Sequence, residues 1–175
     1  MKKSIIGIII AIIVIAAIVG IYFLLTGNNQ NLPENGQEAN NGQELVAKYT
    51  LQDGEKNMTP GEVFVKENFG QEQDFSEIPS CAFQGTDKVY NYGAYEITTS
   101  DIDGKETIYS TFLLDDTIAT KEGVKIADDK NAMIVAYGQD YEENGNEYIY
   151  TDGIVELSFI IENDTIISIQ YVMVI

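Results

Sequence analysis

From residue 155 onward the chain alternates in a way only one kind of structure satisfies. Val155, Leu157, Phe159 and Ile161 fall on one side of an extended segment, Asn163-Asp164 supplies a turn, and Ile167, Ile169, Tyr171, Met173 and Ile175 fall on one side of the next. A period of two on both arms predicts an antiparallel hairpin with one buried face. The opposite faces also carry Tyr and Ile. The expected sheet is therefore not cleanly one-sided, and implies either further cover or an exposed apolar surface.

The same grammar occurs earlier. Asp103-Gly104 sits between arms at 95–99 and 108–114, and Leu45, Ala47, Tyr49 and Leu51 alternate ahead of Asp53-Gly54. Thr59-Pro60-Gly61-Glu62 reads as a capping box opening a helix with Val63, Phe64 and Phe69, stopped by Gly70. Asp128 or Asp129 caps a second helix, with Met133, Ala136 and Tyr137 on one face and Gly138 as its stop. Tyr90-Asn91-Tyr92 matches Tyr148-Ile149-Tyr150, Tyr95-Glu96-Ile97 matches Val155-Glu156-Leu157, and Ile108-Tyr109-Ser110 matches Ile166-Ile167-Ser168. The expectation is an α+β domain over residues 45–175: an antiparallel sheet with short helices on one face. It is built as two tandem helix-plus-hairpin repeats, about 59–118 and 119–175.

Residues 4–25 form an uncharged apolar run, long enough as a helix to span a bilayer of about 30 Å. Bulky residues close it, where a cleaved signal would have a small-x-small site. The reading is a single-pass signal anchor, with a cleaved signal peptide as the alternative. Lys2 and Lys3 precede the run and no lysine follows before Lys48. Residues 1–3 are thus expected in the cytoplasm and everything past the run outside it. Residues 26–44, rich in Asn, Gln and Gly, read as a flexible linker.

Past the apolar run there are eight Lys against 28 acidic residues, and the chain has no Arg, His or Trp. That charge opposes nucleic acid and anionic headgroups and favours basic partners or cations. Without His, the usual general base near neutral pH is missing. Cys81, the only cysteine, lies in Ser80-Cys81-Ala82-Phe83 with no His or helix start beside it to activate a thiolate, so it reads as a small side chain tucked inward. Asp101-Ile102-Asp103-Gly104 begins like a calcium loop, but Phe112 stands where the bidentate Glu belongs. No catalytic residue, metal site or cofactor is expected.

The helix ending Ala136-Tyr137-Gly138, the Tyr148-x-Tyr150 pair and the last hairpin resemble a repeat of the β-lactamase-inhibitory-protein-like fold. The stretch 80–92 is similar to one preceding the first hairpin in membrane-anchored surface proteins of Clostridia-type bacteria. The resemblance implies helices packed on one sheet face and a partner bound on the other. No inhibitor residue carries over, and the paired cysteines of the secreted inhibitor are missing. The functional expectation is a non-catalytic binding or envelope-associated module, membrane-anchored, with a protein or cell-envelope partner. A cell-wall-acting enzyme and a purely structural surface protein are the alternatives. Tyr90, Tyr92, Tyr95, Tyr109, Tyr148 and Tyr150 are the candidate binding face, since Tyr combines contact area with a polar tip; each also suits a half-buried strand.

Overall fold

The computed structural model describes residues 46–175. The expected N-terminus, anchor and linker (1–3, 4–25 and 26–44) lie outside the described residues. Among those described, no helix is long and apolar enough to cross a membrane.

Among the described residues, ten strands and one α-helix follow in order. A small hairpin pairs β1 (Leu51–Asp53) with β2 (Lys56–Met58). The first half continues with β3 (Asp74–Pro79), β4 (Thr86–Asn91), β5 (Tyr95–Ile102) and β6 (Lys105–Leu113). The helix α1 (Lys130–Tyr137) comes next, followed by β7 (Glu142–Asn144), β8 (Glu147–Thr151), β9 (Val155–Glu162) and β10 (Thr165–Met173). The eight longer-range strands form one antiparallel sheet in the order β3-β4-β5-β6-β10-β9-β8-β7.

This corrects the expected α+β repeat. The fold is dominated by β-sheet, and a helix exists in one half only. Thr59-Pro60-Gly61-Glu62 forms a type II turn, with Gly61 at φ 94° and the Glu62 N–H bonded to the Thr59 carbonyl at 3.1 Å. The Thr59 hydroxyl is engaged by Thr50 and Asn57 at 3.0 and 2.9 Å, so it caps nothing. Beyond the turn the chain stays extended. Val63 bridges Thr107, and only a single 3-10 turn, Lys66–Asn68, precedes β3. The second helix does form: the Asp129 carboxylate accepts the Ala132 N–H at 2.8 Å, and Gly138 at φ 87° ends it.

What recurs is a four-stranded meander. Its last two strands turn through Asp103-Gly104 in the first half and Asn163-Asp164 in the second, all four residues at positive φ, as a type I′ hairpin needs. Each closing strand carries a bulge, at Tyr109 in β6 and Ile167 in β10. The bulge turns Ile166 into the core and leaves Ile167 at 45% exposure, contrary to simple alternation. Counting three residues past each bulge gives Phe112 and Gln170, and these two lie directly opposite each other where β6 meets β10. That seam holds only three residue pairs, 110–112 with 170–172.

One face of the sheet contributes Tyr95, Ile97, Leu113, Leu157, Phe159, Ile169 and Tyr171 to the core, each at most 2% exposed. Leu51, Met58 and Met133, all fully buried, close it from above. Phe64 stacks between Phe69 and Tyr90 at centroid distances of 5.2 and 4.8 Å, and Tyr137 packs on Tyr150 and Phe159 at 5.3 and 5.4 Å. Burying each such side chain contributes about 1.5–3 kcal/mol, which is why the cover stays on this face.

The edges are blunt. Ser80 donates to the Gly85 carbonyl, so even-numbered residues of β3 point their N–H groups toward β4 and odd-numbered ones outward. Of the outward positions, the Phe75 N–H is taken by its neighbour Asp74 at 2.9 Å, and Pro79 has none. The opposite edge, β7, is three residues long.

Candidate functional site: the uncovered sheet face

The six candidate tyrosines do not share a surface. Tyr90, Tyr95, Tyr148 and Tyr150 are 5%, 2%, 7% and 2% exposed and point into the covered face. Tyr92 is half-buried beside Phe69 and Tyr95. Tyr90 donates to Glu106, Tyr148 to Glu143, and Tyr150 to the Gly138 carbonyl at 2.8 Å, where it ties β8 to the end of α1. Burial first, then neighbouring Tyr141, pushes the Tyr150 phenol up to about 12. These side chains are core. Tyr109, displaced by its bulge, is the one that reaches the other face.

Among the described residues, that other face is bare apart from one loop. Every other covering segment with assigned contacts packs on the core side: the stretch 46–69, the connection 114–129 and α1. The exception is the β3–β4 hairpin loop, 80–85, which lays Phe83 edge-on against Tyr109 at 5.7 Å. Cys81 rides in this loop and is exposed, not tucked inward, because the loop is a hairpin connection and no helix lies behind it.

A single register row crosses seven strands of the bare face: Asn91, Glu96, Phe112, Gln170, Ser158, Ile149 and Glu142. The next row holds Val89, Thr98, Ser110, Val172, Glu156 and Thr151. Phe112, Ile149, Ile160 and Val172 are half-buried, forming an apolar strip through the seam. Glutamates frame it. Burial, and then Asp74, pushes the Glu96 carboxyl above the usual range. Burial and Glu142 do the same to Glu156. Glu147 is raised by burial despite a hydrogen bond with Ser158, with Glu156 adding to the rise.

Two shallow depressions lie elsewhere. One, beside the β1–β2 hairpin, is lined by Asp53, Lys56 and Glu62. The other borders Lys88, Thr99 and Glu106. Glu106 resembles a catalytic carboxylate until its partners are counted. It accepts from Lys88 at 2.7 Å, Thr99 at 2.8 Å and Tyr90 at 2.9 Å. Burial alone would raise it, but these bonds and the lysine charge bring it below the usual range. Three donors hold it in its ionised form and make it a weaker base than a free glutamate. Among the described residues, no three Asp, Glu, Cys or His side chains are grouped to hold a metal ion.

No family model, curated protein or solved structure matches the chain. The carboxylates of the bare face were within reach of sequence reasoning. Glu96 and Glu156 alternate with Ile97 and Leu157, so their parity alone places them opposite the core. Tyr90, Tyr95, Tyr148 and Tyr150 carry the opposite parity.

Proposed function

We propose that this chain is a non-catalytic protein-binding module, held outside the cytoplasmic membrane by residues 4–25, whose docking surface is the bare face of the eight-stranded sheet. One observation carries the reading: among the described residues all the cover but the 80–85 loop lies on one face, while the other keeps an apolar strip framed by carboxylates. Eight strands spaced about 4.8 Å apart span about 34 Å, and seven residues of strand about 23 Å. The face is thus on the order of 800 Å², what one partner contributes to a standard-size interface. The resemblance to β-lactamase-inhibitor-like domains supports the same face. The three donors engaged by Glu106 and the lack of histidine weigh against the cell-wall enzyme.

The test is site-specific photo-cross-linking in the native cells. A benzophenone side chain at Gln170, central on the bare face, is expected to give discrete protein adducts. The same group at Val135, 77% exposed on α1, is expected to give none. Equal labelling from both positions, or none from Gln170, overturns the docking role.

A further inference from the structure

Alternation and register place Asp74, Glu96, Glu142, Glu147 and Glu156 on the bare face, with Asp87 buried on the same side and accepting from Ser100. The lysines lie elsewhere. Lys56, Lys66 and Lys88 pair with Asp53, Glu72 and Glu106. Lys48 and Lys130 lie against Tyr49 and Tyr148 of the covered side. Lys121 and Lys125 belong to the connection that packs Val124 into the core. Only Lys105 shares the parity of the bare face, at the tip of the β5–β6 hairpin. Each of the half-buried glutamates therefore has another carboxylate as its charged neighbour, and no lysine among the described residues lies between them. Glu96 has Asp74 as neighbour, Glu156 has Glu142, and Glu147 has Glu156. Apart from the Ser158 hydrogen bond to Glu147, no bond among the described residues uses the charge of these three glutamates, and Gln or Thr would fill a solvent-facing strand without the repulsion.

We propose that the bare face docks a basic polypeptide, its Lys or Arg side chains meeting Glu96, Glu147 and Glu156 around an apolar anchor seated on Phe112, Val172 and Ile160. The proposal rests on the docking role above and names its partner by charge complementarity. A second copy of this chain brings the same acidic face at a net charge of −18. The segment 26–44 brings Glu34, Glu38 and Glu44 and no lysine. Neither supplies the missing cations.

The experiment uses the full-length isotope-labelled protein in mild detergent. It is titrated with a short peptide of alternating Lys and Tyr and with the same peptide acetylated on every lysine. Amide shifts are expected along residues 96–98, 110–112, 156–160 and 170–172, with the basic peptide only. The E96Q/E147Q/E156Q variant is expected to lose on the order of tenfold or more in affinity. A variant of equal charge change on the other surfaces, E55Q/E67Q/D115N, is expected to bind as wild type does. Shifts spread evenly over acidic loops, or equal loss from both variants, mean that a polycation merely coats an acidic protein and overturn the proposal. Binding to the bare face that is indifferent to acetylation and to the glutamate substitutions also overturns it, while leaving the docking role intact.

Discussion

Removing Glu106 tests whether the covered face depends on one carboxylate to satisfy its buried hydroxyls. The Tyr90 and Thr99 residues are 5% and 1% exposed, and both hydroxyls donate to Oε1 of Glu106. Glu106→Ala leaves two donors without an acceptor. Hydrogen bonds to charged groups contribute about 1.5–3 kcal/mol each, and the half-exposed Lys88 pair about 0.5. Taking the lower figure for both hydroxyls and setting the small Lys88 contribution aside, the loss is about 3 kcal/mol. Unfolding entropy of about 2.1 cal/mol/K per residue over 130 residues gives about 0.27 kcal/mol/K, so Tm falls by about 11 °C. Glu106→Gln keeps an acceptor for both hydroxyls and loses only the charge, for about 1 kcal/mol or about 4 °C.

The pH dependence carries a second signature. The folded-state pKa of Glu106 lies below its ordinary 4.5. The stability it confers is therefore complete above that value and is lost as pH falls through the folded pKa. The gap between wild type and Glu106→Gln should close on acidification. The assay is thermal unfolding by near-ultraviolet circular dichroism, read on the tyrosines of the full-length protein in mild detergent, repeated from pH 7 downward. An alanine variant melting within about 2 °C of wild type refutes the reasoning, because the hydroxyls would then be satisfied some other way.

Met133→Ala, at the only fully buried position of α1, should cost about 2–5 kcal/mol by opening a cavity under the helix, measured by chemical denaturation. Glu96, Glu147 and Glu156 have raised folded pKa values, so their ionisation opposes folding above those values and is relieved as pH falls through them. E96Q/E147Q/E156Q should therefore melt higher than wild type at pH 7, the difference shrinking in acid. Cys81→Ser should leave Tm unchanged, since the side chain is exposed in a hairpin loop. Gly61→Ala should destabilise by about 1 kcal/mol or more, because its φ of 94° strains any residue with a Cβ.

The second half of the chain was the easier to read, and the reason is local. Asp129, Met133 and Gly138 each hold the place a helix assigns them, and Asn163-Asp164 ends two alternating runs. The first half misled through a real ambiguity. Thr-Pro-x-Glu is a capping signature, but Pro followed by Gly is also the centre of a type II turn, and the β-branched Val63 and Val65 beyond it tip the balance to extended chain. The bulges at Tyr109 and Ile167 were invisible to a period of two, since each inserts one residue and reverses the parity upstream. The strand β3 escaped notice because all its side chains are exposed and no alternation marks it. The bare face was legible in principle, yet Tyr90, Tyr95, Tyr148 and Tyr150 are strand formers that fill a core as readily as they coat a surface.

The outer rim of β3 has one further consequence. An unpaired strand bearing Phe75 and Ile78 at 43% and 37% exposure would ordinarily invite another molecule to add its own strand, and the next after it. Here the outward positions hold three carbonyls but only one uncommitted N–H, at Glu77. A strand arriving from a second molecule would find acceptors and almost no donors. Sheet growth from molecule to molecule is thus opposed at the β3 edge, where an arriving strand could donate but scarcely accept.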